Sequence, residues 1–195
     1  MNTIKECFDI ILRGSEEDSR LAARKVRKLL YNSRDGRDKF DVLKNIINGA
    51  SDEYAKISED FRRENFVIAI SVLYYLHDRE NQPDFLFPWL FGLLQHTNGN
   101  IRHAAVRMLE HELGSLTYHI RFPGEKSSSR HELLPEQADS ILFGMYTNLM
   151  NLIDYFWKPI YEKHKYISSL PNGPYKSVQM LLSRLEDDCG EKYMA

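Results

Sequence analysis

The sequence predicts an all-α fold, and within that class a right-handed α-solenoid of about four antiparallel helix pairs. Three observations carry the prediction. Apolar residues recur at three- and four-residue spacing along most of the chain, and no stretch shows the strict alternation of a half-buried strand. Four segments open on a polar or turn cluster, then a basic residue, then an apolar helical stripe; they begin at Arg20, Arg63, Arg102 and Lys176. The first three stand 43 and 39 positions apart, close to the period of about 40–47 residues that marks two-helix repeats. An irregular helical bundle is the alternative, because helices with small residues pack closely in many bundles.

Each helix can be justified in turn. Ile4, Cys7, Phe8, Ile11 and Leu12 form the first amphipathic face, and Gly14 stops it. Ser15 and Asp18 have the spacing of a capping box, and Glu16, Glu17 and Asp18 put negative charge at the positive end of the next helix dipole. The buried stripe of that helix is Ala22, Ala23, Val26, Leu29 and Leu30. Asp35-Gly36 marks a turn before a third helix on Phe40, Leu43, Ile46 and Ile47, which Gly49 closes. Ser51 or Ser58 then caps a helix carrying Phe66, Ile70, Leu73 and Tyr74, with Val67 and Ala69 widening its apolar face.

Pro83 and Pro88 bracket the entry to a helix with Trp89, Leu90, Leu93 and Leu94. The turn HTNGN at 96–100 offers Asn98 or Asn100 as a cap for the stripe Ile101, Ala104, Ala105, Met108 and Leu109, with Gly114 expected to kink or end it. A polar insertion at about 121–135 has turn formers and little to bury, so a mobile loop is expected. Leu142, Met145, Leu149, Ile153 and Phe156 predict a long helix that breaks near Pro159. LPNGP at 170–174 is a turn before a closing helix on Val178, Leu181, Leu182 and Leu185.

The pattern NGNIRHAAVRMLEHEL at 98–113 resembles the second helix of a HEAT-like, armadillo-type repeat: a turn, an arginine, Ala-Ala-Val, then Leu or Met. SRLAARKVRKLL at 19–30 is similar, with Arg20 and Ala22-Ala23 matching Arg102 and Ala104-Ala105. The copy at Arg63 has Asn65 and Phe66 at the small-residue positions, and the copy at Lys176 has Val178 and Gln179. The resemblance covers most of the chain and implies a single repeat domain over 1–195. It further implies a non-catalytic scaffold or adaptor that binds a protein or peptide along its second helices. A minority of such proteins bind nucleic acid. The recurring arginine of the family usually pairs with polar groups of neighbouring turns, which is the role implied for Arg20 and Arg102.

Composition agrees with a folded adaptor. The 195 residues are 43% apolar and 28% charged with a formal charge of −2, which excludes a disordered chain and a globally basic nucleic-acid binder. One domain of this length buries about 70% of its unfolded surface. Cys7 and Cys189 match no metal spacing, the first residues read as an amphipathic helix and not a signal peptide, and the longest apolar stretch, 85–94, is too short to span a bilayer. A cytoplasmic location, no membrane partner, no cofactor and no metal are the expectations.

Residues 20–39 carry eight basic side chains against two acidic ones. Arg24, Arg27 and Lys28 lie opposite the apolar stripe, and a convergent, solvated group of this kind is what an acidic protein or a phosphate backbone needs. A solvated helix face is the plainer reading. His103, Arg107 and His111 share another helix face at four-residue spacing. His111-Glu112 begins like the zinc-peptidase HExxH pattern, but position 115 is serine, so a ligand is missing. Tyr155, Trp157 and Tyr161 are candidates for an exposed aromatic contact because Pro159 disrupts the helix beside them. An enzyme would instead need a pocket joining groups such as Glu110, His111 or Asp154; no catalytic residue is assigned.

Overall fold

The computed structural model describes residues 3–32, 38–76, 87–125 and 133–190, and every regular element among them is helical. The chain, read from its sequence as one domain, groups into two compact units, residues 1–78 and 79–195. The expected turn at Asp35-Gly36, the side chains of Tyr31, Lys39 and Phe40, and Pro83 lie outside the described residues. So does 126–132 of the polar insertion.

The first unit holds α1 (Ile4–Arg13), α2 (Glu16–Asn32), α3 (Asp38–Asn48), α4 (Ala50–Lys56) and α5 (Asp60–Leu73), with a 3-10 turn at Tyr74–Leu76. Thr3 and Glu6 cap α1 reciprocally, Thr3 Oγ1 accepting from Glu6 N at 3.2 Å and Glu6 Oε2 from Thr3 N at 3.0 Å. The linker to α2 is two residues long. At Gly14 a Cβ would stand 2.7 Å from the Ile10 carbonyl oxygen, so the close approach itself requires glycine. Ser15 Oγ accepts from Asp18 N at 3.2 Å, the expected cap.

Ala22, Ala23 and Val26 are buried, and their small size lets α2 lie close to both α1 and α5. Phe8 meets Phe66 edge to face, centroids 5.8 Å apart. Polar groups also cross this core. Buried Ser19 donates to the Ile11 carbonyl at 3.0 Å, Asn65 Nδ2 donates to Ser19 Oγ at 3.0 Å, and Arg62 reaches the same Ile11 carbonyl at 3.3 Å. Asn65 is thus no defect in a small-residue position; its amide joins α5 to α2.

The second unit holds α6 (Phe87–Leu94), α7 (Gly99–Leu116), α8 (Tyr118–Arg121), α9 (Pro135–Phe156) and α10 (Pro174–Cys189), with 3-10 turns at Pro159–Lys163 and Ile167–Ser169. Asn98 caps α7, its Oδ1 accepting from Asn100 N at 2.8 Å and Ile101 N at 3.4 Å. Helix α7 is buried broadly, from Ile101 through Leu116, and packs on α6, α9 and α10. Gly114 does not end it; the helix runs on to Leu116 and is capped at Thr117, whose hydroxyl donates to the Leu113 carbonyl at 2.7 Å. Asp188 binds that end of the unit together, taking Thr117 Oγ1 at 3.2 Å and Arg184 Nη2 at 3.1 Å.

Three expected boundaries are corrected. Helix α4 follows Gly49 directly, so Ser51 lies inside it and Ser58 gives its hydroxyl to Glu59 at 2.8 Å instead of capping α5. Helix α8, which the apolar stripes do not announce, ends at Arg121, the first residue of the expected insertion. Helix α9 begins at Pro135, seven residues before its first expected apolar position. Proline is pre-shaped for the first helical position, and Ala138 is buried, so the helix starts as soon as one turn can pack. Near Pro159 the expected break is present: α9 ends at Phe156 and Lys158 is extended, as a residue before proline tends to be.

The recurring basic residue has a common job in three of the four segments. Arg63 Nε donates to the Ile57 carbonyl at 2.8 Å, Arg102 Nη1 to the His96 carbonyl at 2.7 Å, and Lys176 Nζ to the Leu170 carbonyl at 3.2 Å. Each acceptor lies six residues back, in the connection that leads into the helix. Arg102 adds the Thr97 carbonyl at 2.7 Å and Asn172 Oδ1 at 3.3 Å, and is 4% exposed. Burial pulls its pKa below the ordinary arginine value, but three acceptors hold the cation in place. Arg20 does otherwise: it is exposed and paired with Glu17 at 2.6 Å. The expected match of Arg20 with Arg102 therefore fails in environment, and Arg63 is the closer equivalent.

A charged hydrogen bond is worth about 1.5–3 kcal/mol, and a buried acceptor left alone costs a similar amount. Arg102→Ala is therefore expected to lower unfolding stability by about 3 kcal/mol or more, measured by denaturant unfolding. Arg20→Ala is expected to leave the midpoint where it is.

Candidate functional site

The sequence-predicted residues fall on three surfaces. On α2, Arg24, Arg27 and Lys28 are exposed, opposite the buried Ala22, Ala23 and Val26. Among the described residues none of the three forms an ion pair, and the nearby carboxylate Glu17 is held by Arg20. Lys25 turns aside from them and lines a cavity of about 370 Å³ with Cys7, Ile10, Gly14, Asp18, Leu21 and Ala22. The basic residues Arg34, Arg37 and Lys39 of the same run are not described.

On α7, His103, Arg107 and His111 are exposed one turn apart, while Ala104, Ala105, Met108, Leu109 and Glu112 are buried beneath. His111 and Glu112 thus point to different sides of the helix. No group of three or more metal-ligating side chains occurs among the described residues. Glu110, His111 and Asp154, the titratable groups an enzyme would need to bring together, are all exposed, and none lines the cavity on α1 and α2.

The third surface is the connection from α9 to α10. Tyr155 and Trp157 are exposed as expected. Tyr161 is half-buried and corrects the expectation: its ring stacks on Tyr175 of α10, centroids 4.2 Å apart and planes 14° from parallel. Tyr166 is exposed as well, and so are Ile160 and the lysines at 158, 163 and 165, which the aromatic pattern alone does not mark. Their signal was the interleaving of aromatic and basic residues over 155–166.

His119 Nε2 lies 2.8 Å from Asp139 Oδ1, which ties α8 to α9. Both cysteines are free thiols and both are buried. Burial raises the pKa of Cys7, partly offset by Lys25. Burial, with Asp188 and Asp139, pushes Cys189 up to about 11. Comparison with protein-family models, curated proteins and solved structures finds no match.

A thiol whose folded pKa is raised stabilises the fold below its unfolded pKa, and that contribution is lost as pH rises through the folded value. Denaturant midpoints of the wild-type chain are therefore expected to fall between pH 9 and about 11 more steeply than those of Cys189→Ala. Parallel slopes would contradict the assignment.

Proposed function

We propose that the chain is a non-catalytic adaptor built from HEAT-like helix pairs, α1 with α2, α3 and α4 with α5, α6 with α7, and α9 with α10, forming a right-handed solenoid that binds an acidic protein partner along its second helices. The observation that carries the reading is a shared one. On both α2 and α7, the face opposite the buried stripe presents three basic or imidazole side chains to water: Arg24, Arg27 and Lys28 on one, His103, Arg107 and His111 on the other. Arginine at such a face supplies bidentate contacts to carboxylates, and a helix face holds its neighbours in fixed register. The recurrent bond from Arg63, Arg102 and Lys176 to the preceding connection supports the repeat reading.

Charge reversal tests it. The variant Arg24→Glu/Arg27→Glu/Lys28→Glu/Arg107→Glu is expected to lose a protein captured by the wild-type chain in cross-linking from native extract, with its helical circular dichroism spectrum unchanged. Capture of the same protein by both chains would end the proposal.

A second reading is favoured by one observation: among the described residues Arg24, Arg27 and Lys28 form no ion pair. Three exposed cations close together on one helix suit a phosphate backbone, and binding would then weaken steeply with salt. A gel-shift with single- and double-stranded oligonucleotides at two salt concentrations separates this reading from the first. Retention of nucleic acid by the wild-type chain but not by the reversed one favours it.

A further inference from the structure

The connection 155–166 exposes more apolar surface than its length explains. Of ten large apolar side chains exposed among the described residues, four fall in these twelve positions: Tyr155, Trp157, Ile160 and Tyr166, at 77%, 47%, 54% and 72%. Single exposed apolar residues need no explanation, but a cluster does. Interleaved with them are the exposed Lys158, Lys163 and Lys165, against one carboxylate, Glu162.

The segment is held in shape, so its outward side chains are presented and not merely loose. Tyr161 N donates to the Lys158 carbonyl at 2.9 Å and His164 N to the Tyr161 carbonyl at 3.0 Å, closing the first 3-10 turn. Tyr161 faces inward on Tyr175, Leu170 is buried, and Lys176 Nζ clamps the Ser168 carbonyl at 3.0 Å as well as that of Leu170. The inward set anchors the loop to α10, and the outward set is what remains to meet a partner.

The chemistry of that outward set discriminates among partners. Protein interfaces are enriched in arginine and depleted in lysine, and nucleic-acid contacts favour arginine for planar, bidentate binding. Between 155 and 166 there are three lysines and no arginine. Ile160 cannot stack on a base. Tryptophan and tyrosine with a wet polar tip, an aliphatic side chain, and lysines that extend their stems along apolar surface are the set that suits a lipid–water boundary.

We propose that residues 155–166 dock the protein on an anionic lipid bilayer. Tyr155, Trp157, Ile160 and Tyr166 enter the headgroup region, and Lys158, Lys163 and Lys165 meet the lipid phosphates and carboxylates. The charge match supplies the occupant: a negative surface attracts lysines close to it, each strengthening partitioning by roughly fivefold. Among the described residues no helix is long and apolar enough to cross a membrane, and peripheral docking requires none. The sequence reading gave the chain no membrane partner on the ground of spanning length alone. The docking uses residues other than those proposed to bind a protein on α2 and α7, so an adaptor of this kind would bring its partner to a membrane surface.

Trp157 reports on the contact directly. The full chain carrying Trp89→Phe has Trp157 as its single tryptophan. On addition of phosphatidylcholine vesicles containing phosphatidylserine, its emission is expected to move to shorter wavelength, and pure phosphatidylcholine vesicles are expected to leave it in place. In flotation, the wild-type chain is expected to rise with the anionic vesicles. Lys158→Gln/Lys163→Gln/Lys165→Gln should bind on the order of 100-fold more weakly. Tyr155→Ser/Trp157→Ser/Ile160→Ser/Tyr166→Ser should stay at the bottom with unchanged circular dichroism. Absence of wild-type flotation on anionic vesicles overturns the proposal, as does flotation that survives the serine changes. A Trp157 shift caused by polyglutamate or an oligonucleotide but not by vesicles also overturns it, in favour of a macromolecular partner.

Discussion

A helix leaves its last carbonyls and first amides without partners, and a short connection between two helices adds more. Where such a connection is packed against the rest of the protein, water cannot reach all of these groups, and each one left alone costs free energy comparable to a lost hydrogen bond. This chain meets the requirement with long cations. Arg63, Arg102 and Lys176 lie in the first turn of their helices and reach back to a carbonyl of the connection just before. A guanidinium can satisfy several carbonyls at once, as Arg102 does for two, with Asn172 as a third acceptor. The connections can then be short and still packed, which fixes how each helix follows its predecessor.

The first helix pair solves the same problem differently, and the cause is linker length. Two residues separate α1 from α2, against three between α4 and α5 and four between α6 and α7. With so little loop to pin, Arg20 has turned to Glu17 at the surface. The carbonyl that needs a partner is that of Ile11, one residue before the last two of α1, and it takes Ser19 from α2 and Arg62 from α5. The small faces of Ala22 and Ala23 bring these helices near enough for a serine hydroxyl, the shortest of polar side chains, to span the gap.

The buried stripes were legible because each repeats at helical spacing over several turns: Cys7, Phe8 and Ile11, Phe66 to Leu73 at the positions read, Ile101 to Leu109 likewise, and Val178, Leu181 and Leu185 are buried as read, while Leu182 is only half-buried. Caps made by neighbouring residues, at Ser15 and Asn98, were legible for the same local reason. Helix α4 was not, because it buries little beyond Ala50 and offers no stripe. Helix α8 is a single turn, held by the partnership of Thr117 and Arg121 with Asp188 some seventy residues away. The pairing of Arg20 with Arg102 was drawn from the Ala-Ala that follows each, whereas the role depends on the loop that precedes. At the candidate site, the exposure of Tyr155 and Trp157 followed from Pro159. The turning-in of Tyr161 did not, since Tyr175 comes from the next helix.

Pinned connections hold helices whose outer faces carry cations, and one fixed loop holds aromatics and lysines outward. At the centre, basic side chains that reach back to carbonyls, with Arg102 buried among them, hold the connections. Nitrogen-15 NMR of the arginine side chains tests it most directly, since guanidinium protons held by carbonyls exchange slowly with water and free ones do not. The account predicts persistent, slowly exchanging signals for Arg63 and Arg102, with Arg20 exchanging fast. Guanidinium protons of Arg102 that exchange as fast as those of Arg20 would contradict it.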